Sequence, residues 1–391
     1  MNIDTLIFDE SIRQAAFPVC QDGAYFAHAG VAPLPAAAAH AIQNFLDQAT
    51  RGNQESVQAM AAVDSARVLG ARLIGAQPEE ISLLGPTALG LSLVARGLHW
   101  NTGDEVVFNG DDYPANVYPW RSLESCGVKP VALFPQQPGV IAWENLEPLL
   151  TERTRLVSLA SCHFISGYRI DVDGIGRRLQ ARNIRFCVDA IQTLGAFPFS
   201  TEHVDFLSAD SHKWMLGPAG AGIFFVKASR REELAPALLG SWNVVSPNFV
   251  AQTALHYEAG GRRYEPGMLN LPGIAGMEAS LRLLLDLGIA PIAERLLHLR
   301  RYTLKHARAM GYRLCLEDWD QSDAASDDAR SAIMAFTHPT RDLTADFQAL
   351  AAKRMVTSLR KDRAGTAYLR IAPHFYNTEA EIDRLFEVLA G

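Results

Sequence analysis

The segment 184–226 constrains the fold most, because three short apolar runs follow one another in it. The runs are 184–188, 204–207 and 222–226, and polar or glycine-rich segments separate them. Apolar runs of this length, bounded by turn residues, are typical of buried strands in a mostly parallel sheet. Such sheets bind ligands at the carboxyl ends of their strands. The segment therefore predicts an α/β fold with a ligand site at that edge.

Two chemically useful side chains follow the first two runs. Asp189 comes directly after the first run, and Lys213 comes shortly after the second. A lysine in a partly desolvated pocket has a lowered pKa and can condense with an aldehyde. Pyridoxal phosphate (PLP) uses such a lysine and also needs an acidic residue at its pyridine nitrogen. The pair indicates a PLP site, although a strand-end carboxylate and a solvated lysine give the same spacing.

The longer string around both residues is more specific than their spacing. Residues 188–218 read VDAIQTLGAFPFSTEHVDFLSADSHKWMLGP. This string resembles the lysine-bearing signature of the class V aminotransferases, which are fold-type I PLP enzymes. The family includes cysteine desulfurases, kynureninases, isopenicillin N epimerases and several carbon–sulfur lyases, and the resemblance extends over nearly the whole chain.

The resemblance implies a set of cofactor-binding residues. Lys213 would bond to the aldehyde of PLP, and Asp189 would keep the pyridine ring protonated. Gln192 follows Asp189 by one turn and can donate to the phenolic oxygen of the ring. The remaining expected contacts are Tyr113 stacked on the ring, His163 near the phenolic oxygen or the substrate, and His212 at the phosphate. For His163, a buried structural histidine and an alignment shifted by one residue are the alternatives.

A phosphate site is also expected at residues 85–88. The Gly-Pro-Thr turn there opens an apolar-periodic segment, which predicts a helix with free backbone N–H groups at its start. Phosphate binds to such donors and to the helix dipole. The resemblance assigns this contact to Thr87 and Ala88, although a threonine that only caps a helix has the same local sequence.

The substrate site is expected at the two ends of the chain. Arg370 lies in a strand-like Leu-Arg-Ile stretch and matches the arginine that holds the substrate carboxylate in the family; its planar fork suits a carboxylate. His28 and Ala29 belong to a small-residue turn that lines the substrate pocket in relatives, although His28 can equally be a hydrogen-bonded loop residue. Arg360 either adds a positive group at the pocket mouth or belongs to a solvated turn.

The resemblance further implies a homodimer with shared active sites. In kynureninases a tryptophan of the neighbouring subunit meets the cofactor phosphate, and Trp242 matches it here. Asn270 retains a family residue that crosses the interface. Met268 stands where the family has a phosphate-binding threonine, so the chain departs from the pattern at that contact.

The resemblance divides the chain of 391 residues into a large and a small domain. We expect an N-terminal segment at 1–30, a large PLP-binding domain with a mostly parallel seven-stranded sheet at 31–274, and a small α+β domain at 275–391. Thr378 and Glu381 form a capping box that predicts a final amphipathic helix. The acidic, serine-rich segment 318–330 predicts a solvated loop.

The composition of the chain limits the classes of partner that it is expected to bind. The net charge of −7 with scattered basic residues argues against a nucleic-acid partner. The acidic amino terminus and the lack of a long apolar stretch argue against secretion and against a membrane partner. Five widely separated cysteines without a Cys-x-x-Cys pair fit reduced thiols and no cysteine-built metal site. We therefore predict a cytoplasmic protein without a metal, and the resemblance implies that it acts on a small amino acid.

The absence of a cysteine from one segment limits the choice of reaction. Cysteine desulfurases carry a nucleophilic cysteine ahead of the substrate arginine, but the corresponding segment 358–370, SLRKDRAGTAYLR, contains none. We therefore favour β-elimination of a sulfur group from a cysteine-derived amino acid, without a catalytic cysteine. Transamination to a keto acid and epimerisation at the α-carbon remain alternatives. The alternative outside catalysis is a PLP-binding regulatory protein.

Overall fold

The structure, a computed structural model, describes residues 2–322 and 325–391. Within these ranges the strands form a seven-stranded sheet, a four-stranded sheet and a two-stranded ribbon. Residues 323 and 324, which belong to the segment expected to be a loop, lie outside the described residues. The ribbon pairs Ala24–Tyr25 with Met355–Val356 in parallel and so connects the amino-terminal segment to the carboxy-terminal part of the chain.

The seven-stranded sheet forms the centre of the molecule. Gly222–Val226 runs antiparallel to both of its neighbours, and the other neighbouring pairs are parallel. The prediction of a mostly parallel seven-stranded sheet is therefore confirmed. In spatial order the strands are Ile81–Leu84, Gly222–Val226, Phe206–Asp210, Arg185–Asp189, Thr154–Ala160, Glu105–Asn109 and Lys129–Leu133.

Apolar side chains leave this sheet on both faces. Val107, Val188 and Phe225 join a core that contains residues of the helices Val57–Ile74 and Leu271–Leu287. The adjacent residues Val106, Cys187 and Phe224 point the other way, into a core shared with helix Thr87–Gly97. Because successive strand residues face opposite sides, burial on both faces requires continuous apolar runs, as the sequence shows.

Helices of very different lengths connect the strands. In the described part of the chain, none of them combines the length and the hydropathy that spanning a bilayer requires. The α-helices are Ile3–Phe8, Glu10–Ala16, Val19–Asp22, Ala36–Ala49, Val57–Ile74, Thr87–Gly97, Tyr118–Arg121, Trp143–Leu146, Val172–Ala181, Leu271–Leu287, Ile289–Ala309, Glu317–Asp320, Leu343–Ala352 and Glu379–Ala390.

The four-stranded sheet belongs to the carboxy-terminal part of the chain. Its antiparallel strands are, in spatial order, Ser358–Lys361, Ala367–Ile371, Met334–Thr337 and Arg313–Leu314. A separate apolar cluster packs this sheet against the long helix Ile289–Ala309 and the final helix Glu379–Ala390. The capping box predicted for that final helix is present, with the Thr378 hydroxyl accepting from the N–H of Glu381.

The predicted solvated loop at 318–330 is wrong for Asp320. This residue ends the short helix Glu317–Asp320 and is 7% exposed. Its carboxylate pairs with Arg300 at 2.7 Å, Arg308 at 2.8 Å and Arg330 at 3.2 Å. A buried carboxylate requires such partners, and local sequence patterns could not show that Arg300 and Arg308 of helix Ile289–Ala309 pair with it.

Two glycines allow a test of close packing behind the central sheet. Gly195 and Gly365 both have positive φ, at 90° and 88°, but a β-carbon on Gly195 would stand 2.4 Å from the carbonyl oxygen of Trp214. Nothing lies within 4 Å of the same position at Gly365. We expect Gly195→Ala to lower the free energy of unfolding by about 1–3 kcal/mol more than Gly365→Ala, as measured by urea denaturation. Equal losses would contradict the predicted clash.

Candidate active site

A cavity of about 460 Å³ opens at the carboxyl ends of the central strands. Two other cavities are larger, at about 550 and 600 Å³, but no lysine lines either of them in the described part of the chain. The cavity gathers most of the residues that the sequence predicts for the site: Ala29, Thr87, Ala88, Tyr113, Asp189, Gln192, His212, Lys213 and Arg370. Gly30, Val31, Pro86, Ala115, Phe164, Ile191 and Arg360 complete its wall.

Lys213 and Asp189 face this one cavity because their strands are neighbours in the sheet. Burial lowers the pKa of Lys213 to about 8, although the Asp189 carboxylate opposes the shift. Burial raises the pKa of Asp189 to about 6. The Lys213 Nζ lies 5.7 Å from the centroid of the Tyr113 ring. The site therefore holds a lysine that loses its proton easily and a buried acid.

Asn116 is a site residue that the sequence analysis missed. It is 2% exposed, and its Nδ2 donates to Asp189 Oδ2 at 2.9 Å, while the N–H of Ile191 donates to Asp189 Oδ1 at 3.0 Å. The side chain reaches Asp189 because a short 3₁₀ turn, Pro114–Asn116, follows Tyr113. Hydrogen bonds to both oxygens fix the orientation of the carboxylate and favour its charged form. In the sequence, this role is indicated only by a polar residue next to a proline turn.

Gln192 and Trp214 form a support behind the lysine. The indole N–H of Trp214 can only donate, so it fixes Gln192 Oε1 as its acceptor at 2.7 Å. Gln192 Nε2 then donates to the carbonyl of Ala29 at 3.0 Å and keeps a second N–H. The carbonyl of Trp214 is 3.1 Å from Nε2 of His374, which must donate to it. Lys213 thus precedes a residue that is held from both sides.

The start of helix Thr87–Gly97 provides a cradle for an anion. No side chain caps this helix, so the first-turn N–H groups of Thr87 and Ala88 have no intrahelical acceptor. Thr87 Oγ1 accepts from the N–H of Asp210 at 2.9 Å, which holds its hydroxyl in place. His212 Nδ1 lies 3.0 Å from Asp210 Oδ1 but forms no hydrogen bond among the described residues. These groups together suit a phosphate.

Arg370 is buried with part of its guanidinium group unpaired. It is 1% exposed, and its Nη1 donates to the carbonyl of Phe164 at 2.5 Å. Its Nε and Nη2 have no partner among the described residues. Burial and the nearby charge of Arg360 lower the pKa of Arg370 to about 9. Because each unmade hydrogen bond to a buried group costs about 1–3 kcal/mol, this geometry favours binding of a carboxylate.

The structure places His28 and His163 outside the wall of the central cavity. His28 is fully buried, and its ring nitrogens contact the Ala372 carbonyl at 2.9 Å and the Tyr376 hydroxyl at 2.6 Å. His163 lines a neighbouring cavity of about 300 Å³ and contacts the Ser166 hydroxyl at 3.0 Å. Neither lines the central cavity, where Phe164 takes the place expected for His163. Both histidines are buried, and their expected contacts with substrate and cofactor stay predictions.

Two further predicted residues lie outside the cavity of their own chain. Trp242 is half-buried in a turn and packs on the guanidinium of Arg262 at 5.6 Å. Asn270 caps helix Leu271–Leu287 through Gly273 and donates to the carbonyl of Gly220 at 3.0 Å. Their expected contacts are with the cofactor of a neighbouring subunit, so these roles stay predictions.

The described residues fit PLP on the chemistry of the donor set. The helix start offers free N–H groups for a phosphate, Asp189 offers a hydrogen-bonded carboxylate for the pyridine nitrogen, and Lys213 offers an amine with a lowered pKa for the aldehyde. All three groups line the one cavity. A carboxylate from a substrate would also satisfy the unpaired atoms of Arg370.

Thiols are absent from the wall of the cavity in the part of the chain that the structure describes. Cys162 and Cys187 are buried in the apolar cores, and burial raises the pKa of both. Burial also raises the pKa of Cys315 to about 11. A thiol with a raised pKa is a poor nucleophile. This arrangement agrees with the expectation that catalysis proceeds without a cysteine nucleophile.

Replacing Asp189 with Asn tests the cost of burying its charge. Its pKa of about 6 exceeds the ordinary value of 3.8, so without cofactor the folded state binds more protons than the unfolded state between about pH 4 and pH 6. The free energy of unfolding should therefore fall as pH rises through this window, by on the order of 2 kcal/mol. We expect a smaller fall in Asp189→Asn than in the wild type, as measured by urea denaturation of the cofactor-free protein at several pH values. Part of the fall remains, because burial also raises the pKa of Asp112 to about 6.

Asp47→Asn is a suitable control, because Asp47 is exposed on helix Ala36–Ala49. This variant should keep the pH profile of the wild type. A profile that is the same in Asp189→Asn and in the wild type would contradict a costly buried charge.

Comparison with known proteins identifies the family and the fold of the chain. The family model described as aminotransferase class-V matches residues 24–385. An uncharacterized aminotransferase, YcbU, of Bacillus subtilis is 26% identical over 98% of this chain and 97% of its own. A cysteine desulfurase from Thermococcus onnurineus NA1 superposes with a TM-score of 0.86 at 20% identity over 97% of each chain. A cystine C–S lyase in complex with cysteine persulfide superposes with a TM-score of 0.84 at 21% identity over 96% of this chain and 99% of that one. The chain belongs to the class V aminotransferases, a family of PLP-dependent enzymes.

Proposed function

We propose that the protein is a lyase that eliminates a sulfur leaving group from the β-carbon of a cysteine-derived α-amino acid. The observation that carries this proposal is a single cavity that joins Lys213 to the unpaired guanidinium of Arg370, with no thiol in its described wall. A persulfide-forming desulfurase needs a cysteine at the substrate. The shared fold of a cystine C–S lyase is consistent with elimination.

Arg370 would bind and orient the substrate. Its free Nε and Nη2 lie on one edge of the guanidinium plane, and an α-carboxylate can accept from both. The cost of leaving these buried donors unpaired disappears when the carboxylate arrives, which adds to affinity. Closing the cavity around the substrate excludes water from the reacting carbon.

Lys213 would move the proton. PLP, when bound, withdraws electrons from the α-carbon of the amino acid. Because burial lowers the pKa of Lys213 to about 8, its Nζ is partly unprotonated near neutral pH and can take the α-proton. The bond between Cβ and sulfur then breaks, and the thiolate leaves with the electron pair. With cysteine and one water, the overall products are pyruvate, ammonia and sulfide.

The other groups would hold the cofactor in place. Asp189, supported by Asn116, would keep the pyridine nitrogen protonated, and Tyr113 would stack on the ring. Thr87, Ala88 and His212 would bind the phosphate, and the spare N–H of Gln192 would reach the phenolic oxygen. Ala29 lines the substrate end through its backbone.

Transamination is the second candidate. It is favoured by the description of the Bacillus relative as an aminotransferase. The same residues would bind the amino acid, but the proton taken by Lys213 would return to the cofactor and a keto acid would leave. The two candidates differ in their products and are separated by experiment.

The proposal includes a cytoplasmic homodimer with shared sites and the domain division 1–30, 31–274 and 275–391. Large apolar side chains are exposed along the segment 238–268, which contains Trp242 and lies next to Asn270. A second copy of the chain would cover this surface. The exposed residues are Leu238, Leu239, Val245, Phe249, Val250, Leu255 and Met268.

Lys213→Ala tests the cofactor bond. The wild type with added PLP should show a visible absorption band that arises from the bond between Lys213 and the cofactor, and the variant should lack it. Lys227→Ala is the control, because the ammonium of Lys227 donates to the Glu202 carbonyl away from the cavity. An unchanged spectrum in Lys213→Ala would reject the assignment.

The reaction is tested by incubation of the holoenzyme with a panel of amino acids, including cysteine and cystine. Release of pyruvate in step with sulfide or another thiol would support the lyase. Transfer of the amino group to an added keto acid, without sulfur release, would overturn the lyase in favour of the transaminase. Lys213→Ala should lose either activity by at least about a hundredfold.

The dimer is tested by sedimentation velocity and PLP binding. We expect a mass of two chains and a weaker PLP affinity in Trp242→Ala. Trp143→Ala is a matched control, because Trp143 packs on Arg178 at 5.4 Å much as Trp242 packs on Arg262. A monomer with full PLP affinity would contradict shared sites.

A further inference from the structure

Two arginines of one hairpin face the same end of the cavity. In the strand pair Ser358–Lys361 and Ala367–Ile371, Ser358 lies directly opposite Arg370. Arg360 is two residues from Ser358 and therefore faces the same side of the sheet as Arg370. Nη2 of Arg370 and Nη2 of Arg360 lie 3.7 and 3.8 Å from the point where a β-carbon on Gly30 would stand. Both guanidinium groups thus border one small volume.

Arg370 alone can satisfy one carboxylate. Its Nη1 is occupied by the carbonyl of Phe164, and its two unpaired atoms, Nε and Nη2, form one edge of the guanidinium plane. A carboxylate matches such an edge with two parallel hydrogen bonds. The α-carboxylate of the substrate therefore needs no second arginine.

Arg360 is exposed at the mouth of the cavity and has no ion-pair partner in the described chain. Among the described residues no carboxylate forms an ion pair with it, and Asp189, the carboxylate in the cavity wall, is engaged by Asn116 and Ile191. Nearby Asp362 accepts instead from the hydroxyl of Tyr368 at 2.9 Å. The positive charge of Arg360 also disfavours the charge on Arg370. A second anion at this end of the cavity would relieve both conditions.

We infer that the substrate carries a second anionic group on its side chain and that Arg360 binds this group. The inference rests on the proposed function and names its substrate class: S-substituted cysteines whose leaving thiol bears a carboxylate. With S-carboxymethylcysteine, the α-proton passes to Lys213, the bond between Cβ and sulfur breaks, and thioglycolate leaves. One water then completes the conversion to pyruvate and ammonia, so no oxidant or reductant is required.

The test compares two substrates of nearly equal size with the holoenzyme. S-carboxymethylcysteine carries the second charge, and S-carbamoylmethylcysteine replaces it with a neutral amide. We expect the wild type to show a kcat/KM for the carboxylate at least about tenfold higher than for the amide. Arg360→Gln should lower kcat/KM for the carboxylate by about 10- to 100-fold and lower the value for the amide far less.

A matched control and a conservative variant separate this role from general charge effects. Arg363→Gln removes the same charge from the same hairpin, but Arg363 packs on Phe134 and donates to the Gly110 carbonyl outside the central cavity. It should keep the preference of the wild type. Arg360→Lys should keep part of the preference, because it retains the charge without the planar fork.

Two outcomes would overturn the inference: equal use of both substrates by the wild type, or an equal loss for both in Arg360→Gln. Failure of the proposed function looks different, because neither substrate would then yield pyruvate. In that case the dissociation constants, measured from the change in the absorption band of the bound cofactor, decide the role of Arg360. Preference for the carboxylate that Arg360→Gln abolishes supports the inference, and equal constants overturn it.

Discussion

The site depends on charges that the fold holds away from water. Asp189, Lys213 and Arg370 each lose hydration when the chain folds, and burial moves the pKa of each towards its neutral form. The core gains apolar contacts on both faces of the central sheet, and this gain offsets the cost. Part of the free energy gained by apolar burial is thus offset by the cost of burying groups that would bind cofactor and substrate. An unligated pocket of this kind binds its partners strongly because they restore the missing hydrogen bonds.

Trp214, the residue after Lys213, forms hydrogen bonds with residues that follow strands of both the seven-stranded and the four-stranded sheet. Its indole contacts Gln192 beside the central sheet, and its carbonyl contacts His374, which follows the strand that carries Arg370. The residue next to the lysine therefore fixes the spacing between amine and guanidinium. Gly195 allows the backbone of Trp214 to approach, since any side chain there would meet its carbonyl. The position of Lys213 follows from packing as much as from its own sequence neighbours.

The sequence patterns predicted best what depends on local order along the chain. The strands, the helix start at Thr87 and the final capping box follow from apolar runs and turn residues, and the strand ends then bring Asp189 and Lys213 together. Three residues could not be assigned in this way. Asn116 reaches the site through a 3₁₀ turn, and Phe164 lines the cavity one residue after the position expected for His163. Asp320 is buried because it pairs with Arg300, which lies on another helix. The two readings of His28 could not be separated, because a histidine in a turn has the same sequence whether its ring faces a pocket or the interior.

The placement of the arginines on a different sheet from the lysine has a mechanical consequence. Arg360 and Arg370 are on the four-stranded sheet, whereas Asp189 and Lys213 follow strands of the seven-stranded sheet. An amino acid bound as proposed would therefore bridge the two sheets, with its carboxylate at Arg370 and its α-carbon at Lys213. It would add a cross-link between the sheets that forms when substrate binds and is lost when product leaves.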